Sequence, residues 1–399
     1  MADIKSYIKE KAKREKRQAG YKEKIVKHRL RNLYRVCLVI AAAAALVALI
    51  AVQYRRHVYT SYDIVSSVER QIASGAVDRR LGNSILTYSR DGAHCTNAKG
   101  SVTWNQTYEI QDVIIAVSGN TVAIAEYNGR NIYVQNAESQ LKQITTTMPI
   151  RDVAVSSSGC VTAVLDGQDV ALLYTYPYDE DEKIIEGKAH MSDSGYPAAI
   201  SLSPNGEILC VSYLYLDAGV LKTDIAFYNF GQVGKSNSDL LVSASSYTDM
   251  LVPQVCFMSD SAGFAVGDSR LIVFGGGHKP TIKAERILNE EIRSVFYSDK
   301  YIGLVFRSEI GEHLYRMDVY DASAREVGKF YLDMEYSDIF FGKDNFVAYN
   351  ETECLIMNMK GVEKFSGTFS KTVRLMLPTG GSYKYVLVTD NSIDTIQLK

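Results

Sequence analysis

Tryptophan occurs once in 399 residues, proline only 7 times, and no two of the six cysteines sit at C-x-x-C spacing. So little proline, with 28 glycines at no fixed period, excludes a collagen-like or proline-rich linker chain. Four local patterns are also missing: H-E-x-x-H, G-x-S-x-G, the Walker A loop and G-x-G-x-x-G. These build zinc, serine-nucleophile and phosphate sites. Among His28, His57, His94, His190, His278 and His313 no two stand at helical or hairpin ligand spacing. The sequence therefore offers no metal site and implies no cofactor. Charge of one sign is lacking too, with a net of -2. That balance conceals a polarity: residues 1–35 carry 13 Lys/Arg against 4 Asp/Glu, and the remainder carries 31 against 42. An acidic body repels phosphate, which argues against nucleic acid as a partner.

Only one long apolar run is present, the 17 residues 36–52, flanked by Tyr34 and Arg35 on one side and Tyr54, Arg55 and Arg56 on the other. At about 1.5 Å per helical residue, the stretch from Tyr34 to Tyr54 covers roughly 31 Å, enough to span hydrocarbon. Tyrosines at both ends suit the interfacial belt. A transmembrane helix is expected over 36–54, holding the chain in the lipid bilayer. The long basic leader and the want of a small-x-small site after the run favour an uncleaved anchor over a signal peptide. Positive charge marks the cytosolic side. Residues 1–35 are then a cytosolic basic segment, and 55–399 an extracytoplasmic domain. Residues 3–31 read as a basic helix with a thin apolar stripe through Ile4, Tyr7 and Ile8. It suits anionic lipid headgroups or a cytosolic partner, or serves as a topology signal alone.

Beyond the anchor the pattern repeats. An apolar-x-x-[Val/Ile/Met] start recurs at Ile110, Ile150, Pro197, Val252, Ile292, Tyr336 and Val373, at intervals of 40, 47, 55, 40, 44 and 37 residues. After each start comes a Gly/Ser/Asp-rich turn in most repeats, then a short run rich in Val, Ile and Tyr. Strands in fours at this period, with almost no helical pattern, predict an all-β fold, a β-propeller. Closure adds a requirement. The last repeat shows three strands, so its outer strand is expected from 58–68, just past the anchor. A first blade over 76–108 then makes eight blades, or seven if 76–81 is no strand.

Within 82–108, Asp91-Gly92, Asn97-x-x-Gly100 and Trp104 resemble the repeat of quinoprotein-type propellers, whose Trp docks blade on blade. With the basic head, the single span and the repeats that follow, the chain resembles a family of bacterial membrane-anchored propeller proteins of unknown function. The resemblance implies a propeller in the cell envelope and no particular reaction. Trp104 being the only Trp, the other blades depart from the quinoprotein pattern.

Candidate chemistry is sparse. Cys95, Cys160, Cys210, Cys256 and Cys354, outside the span, read as small buried apolar residues in reduced form, and Cys37 lies within the span. Gly275-Gly276-Gly277 reads as a hairpin turn. The acidic run at 179–182 lacks the alternating ligand spacing of a calcium loop. If the seven starts are equivalent inner strands, their second positions are Gln111, Arg151, Ala198, Pro253, Arg293, Ser337 and Arg374. Gln111, Arg151, Arg293 and Arg374 around one channel mouth suit carboxylate or phosphate groups of a ligand. Alternatively, these arginines pair with Asp112, Asp152 or Asp338 on adjacent blades and hold the ring together. Either way the expected function is a binding or scaffolding module of the envelope, engaging a protein or cell-wall partner. A propeller enzyme of hydrolase, lyase or quinone-dependent type, with its site at the central channel, is the alternative.

Overall fold

In the computed structural model, residues 3–167, 170–179, 185–190, 195–237 and 239–399 are described. The chain divides into two units, 1–58 and 59–399. The first is one continuous helix, Asp3–Arg56, so the basic segment and the apolar run are one element. Within it, His28–Val47 is long and apolar enough to cross a membrane.

In the second unit the described strands form eight four-stranded antiparallel sheets. They are the blades of an eight-bladed β-propeller. Blades 1 to 7 are contiguous in sequence, over 77–107, 113–145, 150–190, 196–248, 254–287, 294–332 and 338–368. Blade 8 takes three strands from 373–398 and its outermost, Tyr62–Glu69, from just after the helix. The closing strand runs antiparallel to Ser392–Leu398, from Tyr62 opposite Leu398 to Glu69 opposite Ser392. It was expected over 58–68; of that stretch, Tyr59 makes a single bridge to Phe365 in blade 7.

The first strand of each blade is innermost, and inner strands meet around the axis. Ile150–Val155 touches Val113–Ser118 and Tyr196–Leu202, and Val77–Leu81 touches Val373–Pro378. Second strands have strands on both sides and neighbouring blades on both faces, so they are largely buried and apolar. Thr121–Glu126 is buried over its first five residues, and Tyr301–Arg307 over its middle five. Outer strands face solvent on one side and alternate, as Thr281–Ile287 does.

Blades are also tied by side chains that reach a neighbour's backbone. Trp104 Nε1 donates to the Asn136 carbonyl at 2.6 Å, docking blade 1 on blade 2 as the resemblance implied. Lys142, Ser243 and Arg286 donate to the carbonyls of Pro177, Pro280 and Ala324 on the blades that follow theirs. One tryptophan therefore suffices, because its docking bond is made elsewhere by Lys, Ser and Arg. The Gly275-Gly276-Gly277 stretch is a hairpin turn, with Gly276 and Gly277 at φ of 129° and 55°. No disulfide forms among the described residues. Burial pushes the Cys354 thiol up to about 12, so it stays protonated. In the acidic run at 179–182, residues 180–182 lie outside the described residues.

Candidate functional site

Inner strands begin at one mouth of the ring, and in three blades the ladder slips there. Register jumps between Ile150 and Asp152, Pro197 and Ala199, and Val373 and Leu375. Arg151, Ala198 and Arg374 are thus the extra residues of β-bulges, which re-aim side chains out of the in–out alternation. Arg151 reaches across to blade 2, where its Nη1 donates to Tyr127 Oη at 2.8 Å and to Asn128 Oδ1 at 2.6 Å. Its guanidinium lies 5.1 Å from the Tyr127 ring centroid, and Nη2 donates to Asp166 of its own blade. That bond to Asp166 raises the Arg151 pKa.

Arg374 sits at the seam between blades 8 and 1. Its Nε donates to Asp78 and Nη1 to Asp390, both at 2.9 Å, and Nη2 donates to the Ala76 carbonyl. Gln111 is exposed, its backbone N–H donating to Glu126 at 3.0 Å. Arg293 is exposed and has no ion pair among the described residues. Two of the four expected residues therefore tie blades together, and two stand open at the rim.

The acids differ from those expected. Arg151 and Arg374 pair with Asp166, Asp78 and Asp390, while Asp152 and Asp338 turn back onto their own strands. Each accepts the next backbone N–H, from Val153 and from Ile339, at 2.8 Å. Strand alternation places positions two and three of a start on opposite sides, and the bulge widens the separation. Burial raises the pKa of both carboxyls. For Asp338, burial outweighs Ile339 N–H, the Tyr349 hydroxyl, Arg80 and Arg79.

Between these residues the mouth carries two clefts that share Tyr127 as a wall. One, of about 300 Å³, is lined by Tyr88, Arg90, Gln111, Asp112 and Tyr127. The other, of about 270 Å³, is lined by Tyr127, Arg151, Leu165, Asp166 and Tyr196. Tyr196 pairs with Leu214 at the root of a hairpin whose strands, Ile208–Asp217 and Val220–Asn229, are ten residues each. Ala218 and Gly219 turn at φ of 50° and 81°, and Lys222 pairs with Asp217 at 2.5 Å across the tip. The tip carries Leu216, 72% exposed, beside the exposed Val220. Tyr127, Tyr196 and this hairpin were not read from sequence. Their one trace there is the interval of 55 residues, the widest of the series.

Among the described residues no three His, Cys, Asp or Glu are grouped to hold a metal ion. A family model described as a family of unknown function, DUF5711, matches residues 55–398. BamB from Moraxella catarrhalis superposes with a TM-score of 0.50 at 10% identity, over 85% of this chain and 100% of that one. Kluyveromyces lactis Hsv2p gives 0.46 at 9% identity, over 75% and 99%. Kuenenia stuttgartiensis hydrazine synthase gives 0.44 at 11%, over 78% and 100%. At these identities the likeness is one of fold. No curated protein matches the chain.

Proposed function

The chain belongs to the DUF5711 family of unknown function, and on that premise we propose that it is a membrane-anchored scaffold that binds a protein or cell-wall partner at the propeller mouth. Residues 36–54 hold it in the bilayer. The basic residues 1–35 stay in the cytosol against anionic headgroups, and 55–399 stand outside. One observation carries the binding role: Tyr127, Arg151, Tyr196 and the apolar hairpin tip form one strip over blades 2 to 4. Exposed tyrosine and aliphatic groups beside a half-buried arginine, held on rigid strands, are the composition of interface anchors.

A photo-crosslinking residue placed at Tyr196 or Leu216 of the full chain in its native membrane is expected to give one discrete adduct. The same residue at Lys343, on a turn between first and second strands at the other end of the blades, is expected to give none. Equal labelling from all three positions removes the mouth as the binding face. The topology is read separately, by an impermeant thiol reagent on intact cells carrying Lys99→Cys, expected to label from outside.

The enzyme reading is favoured by Asp152 and Asp338, inner-strand carboxyls whose pKa burial raises. A hydrolase, lyase or quinone-dependent activity that disappears in both Asp152→Asn and Asp338→Asn, with folding intact, would establish it over the scaffold.

A further inference from the structure

The interface between blades 3 and 4 is apolar at its heart. Leu173, Leu209, Val211, Tyr213 and Ala226 pack there, with Phe230 and Leu241 against them. Toward the outer strands this packing opens instead of closing. A cleft of about 390 Å³ is walled by Leu173, Leu209, Phe230 and Leu241 from the same cluster. Its volume lies in the range, roughly 300–1,000 Å³, of small-molecule sites. A second cleft of about 620 Å³ shares Thr175, Ile185 and Phe230 with it.

Polar groups in the smaller cleft are few and of one kind. Tyr213 and Tyr228 hydroxyls meet at 3.0 Å, and neither has another hydrogen-bond partner among the described residues. A pair of hydroxyls uses one proton between them, so one O–H remains to donate and lone pairs remain to accept. Burial raises the pKa of both phenols, which keeps them neutral. At the rim stand two carboxylates, Glu186 and Asp239, and among the described residues no Lys, Arg or His lines this cleft. Three aromatic rings, Tyr213, Tyr228 and Phe230, complete the wall. Ring faces and unbalanced carboxylates both favour positive charge and disfavour anions.

We propose that the cleft between blades 3 and 4 is a binding site for a small organic cation with an apolar body, an arylalkylammonium in chemical class. The apolar body lies against Leu173, Leu209 and Leu241, and the ammonium faces Glu186 and Asp239. This site is separate from the mouth, and its occupant is a small molecule.

Calorimetry on the full chain in zwitterionic nanodiscs tests it with three probes of one shape: phenethylammonium, 3-phenylpropanol and 3-phenylpropionate. Phenethylammonium is expected to bind saturably at one site, at least about tenfold tighter than the other two. Leu241→Trp, which fills the cleft, is expected to abolish that binding. Asp239→Asn with Glu186→Gln, both at exposed positions, is expected to erase the preference for the cation without disturbing the fold. These two exposed substitutions decide the matter should Leu241→Trp fail to fold. Equal binding of all three probes overturns the proposal, as does no saturable binding by any, or a cation preference that survives the double substitution.

Discussion

Two seams of the ring meet the same packing demand by different means. Where blades 8 and 1 join, the Asp78 carboxylate has no exposure and is held from three sides. Arg70 donates to both its oxygens at 3.0 Å, Arg374 at 2.9 Å and Thr87 at 2.6 Å. On the third strand of blade 8, Asp394 accepts from Ser67 of the closing strand at 2.5 Å and from Lys371 at 2.8 Å. Ile85, Leu377, Val386 and Val388 seal the apolar part. Between blades 3 and 4 the described residues offer no comparable ion cluster, and the apolar core gives way to open clefts. The difference follows from what each seam must do. Blades 3 and 4 are joined by chain in any case, whereas the closing strand is recruited from the far end of the domain, across a loop spanning nearly all of it. Directional bonds at Asp78 and Asp394 fix its register, which apolar contact alone leaves loose.

The largest break in this contrast comes from Asp78→Asn. It leaves Arg70 and Arg374 at the seam with their shared carboxylate gone, and a cost of about 3–5 kcal/mol is expected. Urea unfolding of the full chain, followed by tyrosine fluorescence, measures it. A loss under about 1 kcal/mol would mean that the cluster is spectator charge and that apolar packing closes the ring.

A paired leucine deletion sharpens the comparison. Leu377, 1% exposed, packs in the closure seam, and Leu209, 2% exposed, packs beside the cleft. Deletion at Leu377 leaves an enclosed void, with an expected loss of about 3–5 kcal/mol. At Leu209 the void merges with a space already open to water, so the cavity penalty falls away and the loss is about 1–2 kcal/mol smaller. Equal losses would mean that the seam between blades 3 and 4 is as tightly packed as the other.

How much of this could be seen in the residues alone depends on the strand. Second strands such as Tyr301–Arg307 are apolar from Ile302 to Phe306 and announce themselves. Outer strands such as Thr281–Ile287 alternate in exposure and pass for loop, which is why their partners could not be assigned from sequence. At Ile110, Val252, Ile292 and Tyr336 the start motif precedes its strand, which begins at Val113, Gln254, Ser294 and Asp338. Gln111 and Arg151 do reach the mouth, because position two of the motif is read locally. Which groups Arg151 meets depends on the bulge at Ile150/Asp152, on Asp166 of the next strand and on Tyr127 and Asn128 one blade away, and no short window of sequence contains them all. Asp78 escaped for the same reason: its partners lie 8, 9 and 296 positions off.

Trp104→Phe tests a milder point, whether docking by the outer strand differs between blades that carry Trp and blades that carry Lys or Ser. An aromatic ring stays and the bond to the half-buried Asn136 carbonyl goes, at about 1–2 kcal/mol. Ser243→Ala removes the corresponding bond to Pro280 between blades 4 and 5 and is expected to cost a similar amount. A much larger loss at Trp104 would mean that the indole's area, not its N–H, docks the blade.

The smallest effects are those of pH, and here two carboxyls differ in sign. Burial pushes the Asp394 pKa up, but bonds from Lys371, Ser67 and Ser392 and the Lys371 charge outweigh it, so the folded value lies below the ordinary one. The stability this supplies is present above the unfolded pKa, about 3.9, and is lost as pH falls through the lower folded value. Asp152 in blade 3 is the reverse. Burial raises its folded pKa against a single backbone bond, so its contribution is present below the unfolded pKa and is lost as pH rises through the folded value. Melting curves between pH 3 and 7 are therefore expected to show Asp394→Asn losing part of the wild-type acid dependence. Asp152→Asn should stabilise at pH 7 by a margin that closes toward pH 3, because a protonated Asp and an Asn then present the same charge. If Asp152→Asn instead destabilises at pH 7, its carboxylate has a cationic partner at the mouth, and the contrast between a polar, tied closure and an open face on blades 2 to 4 loses one of its supports.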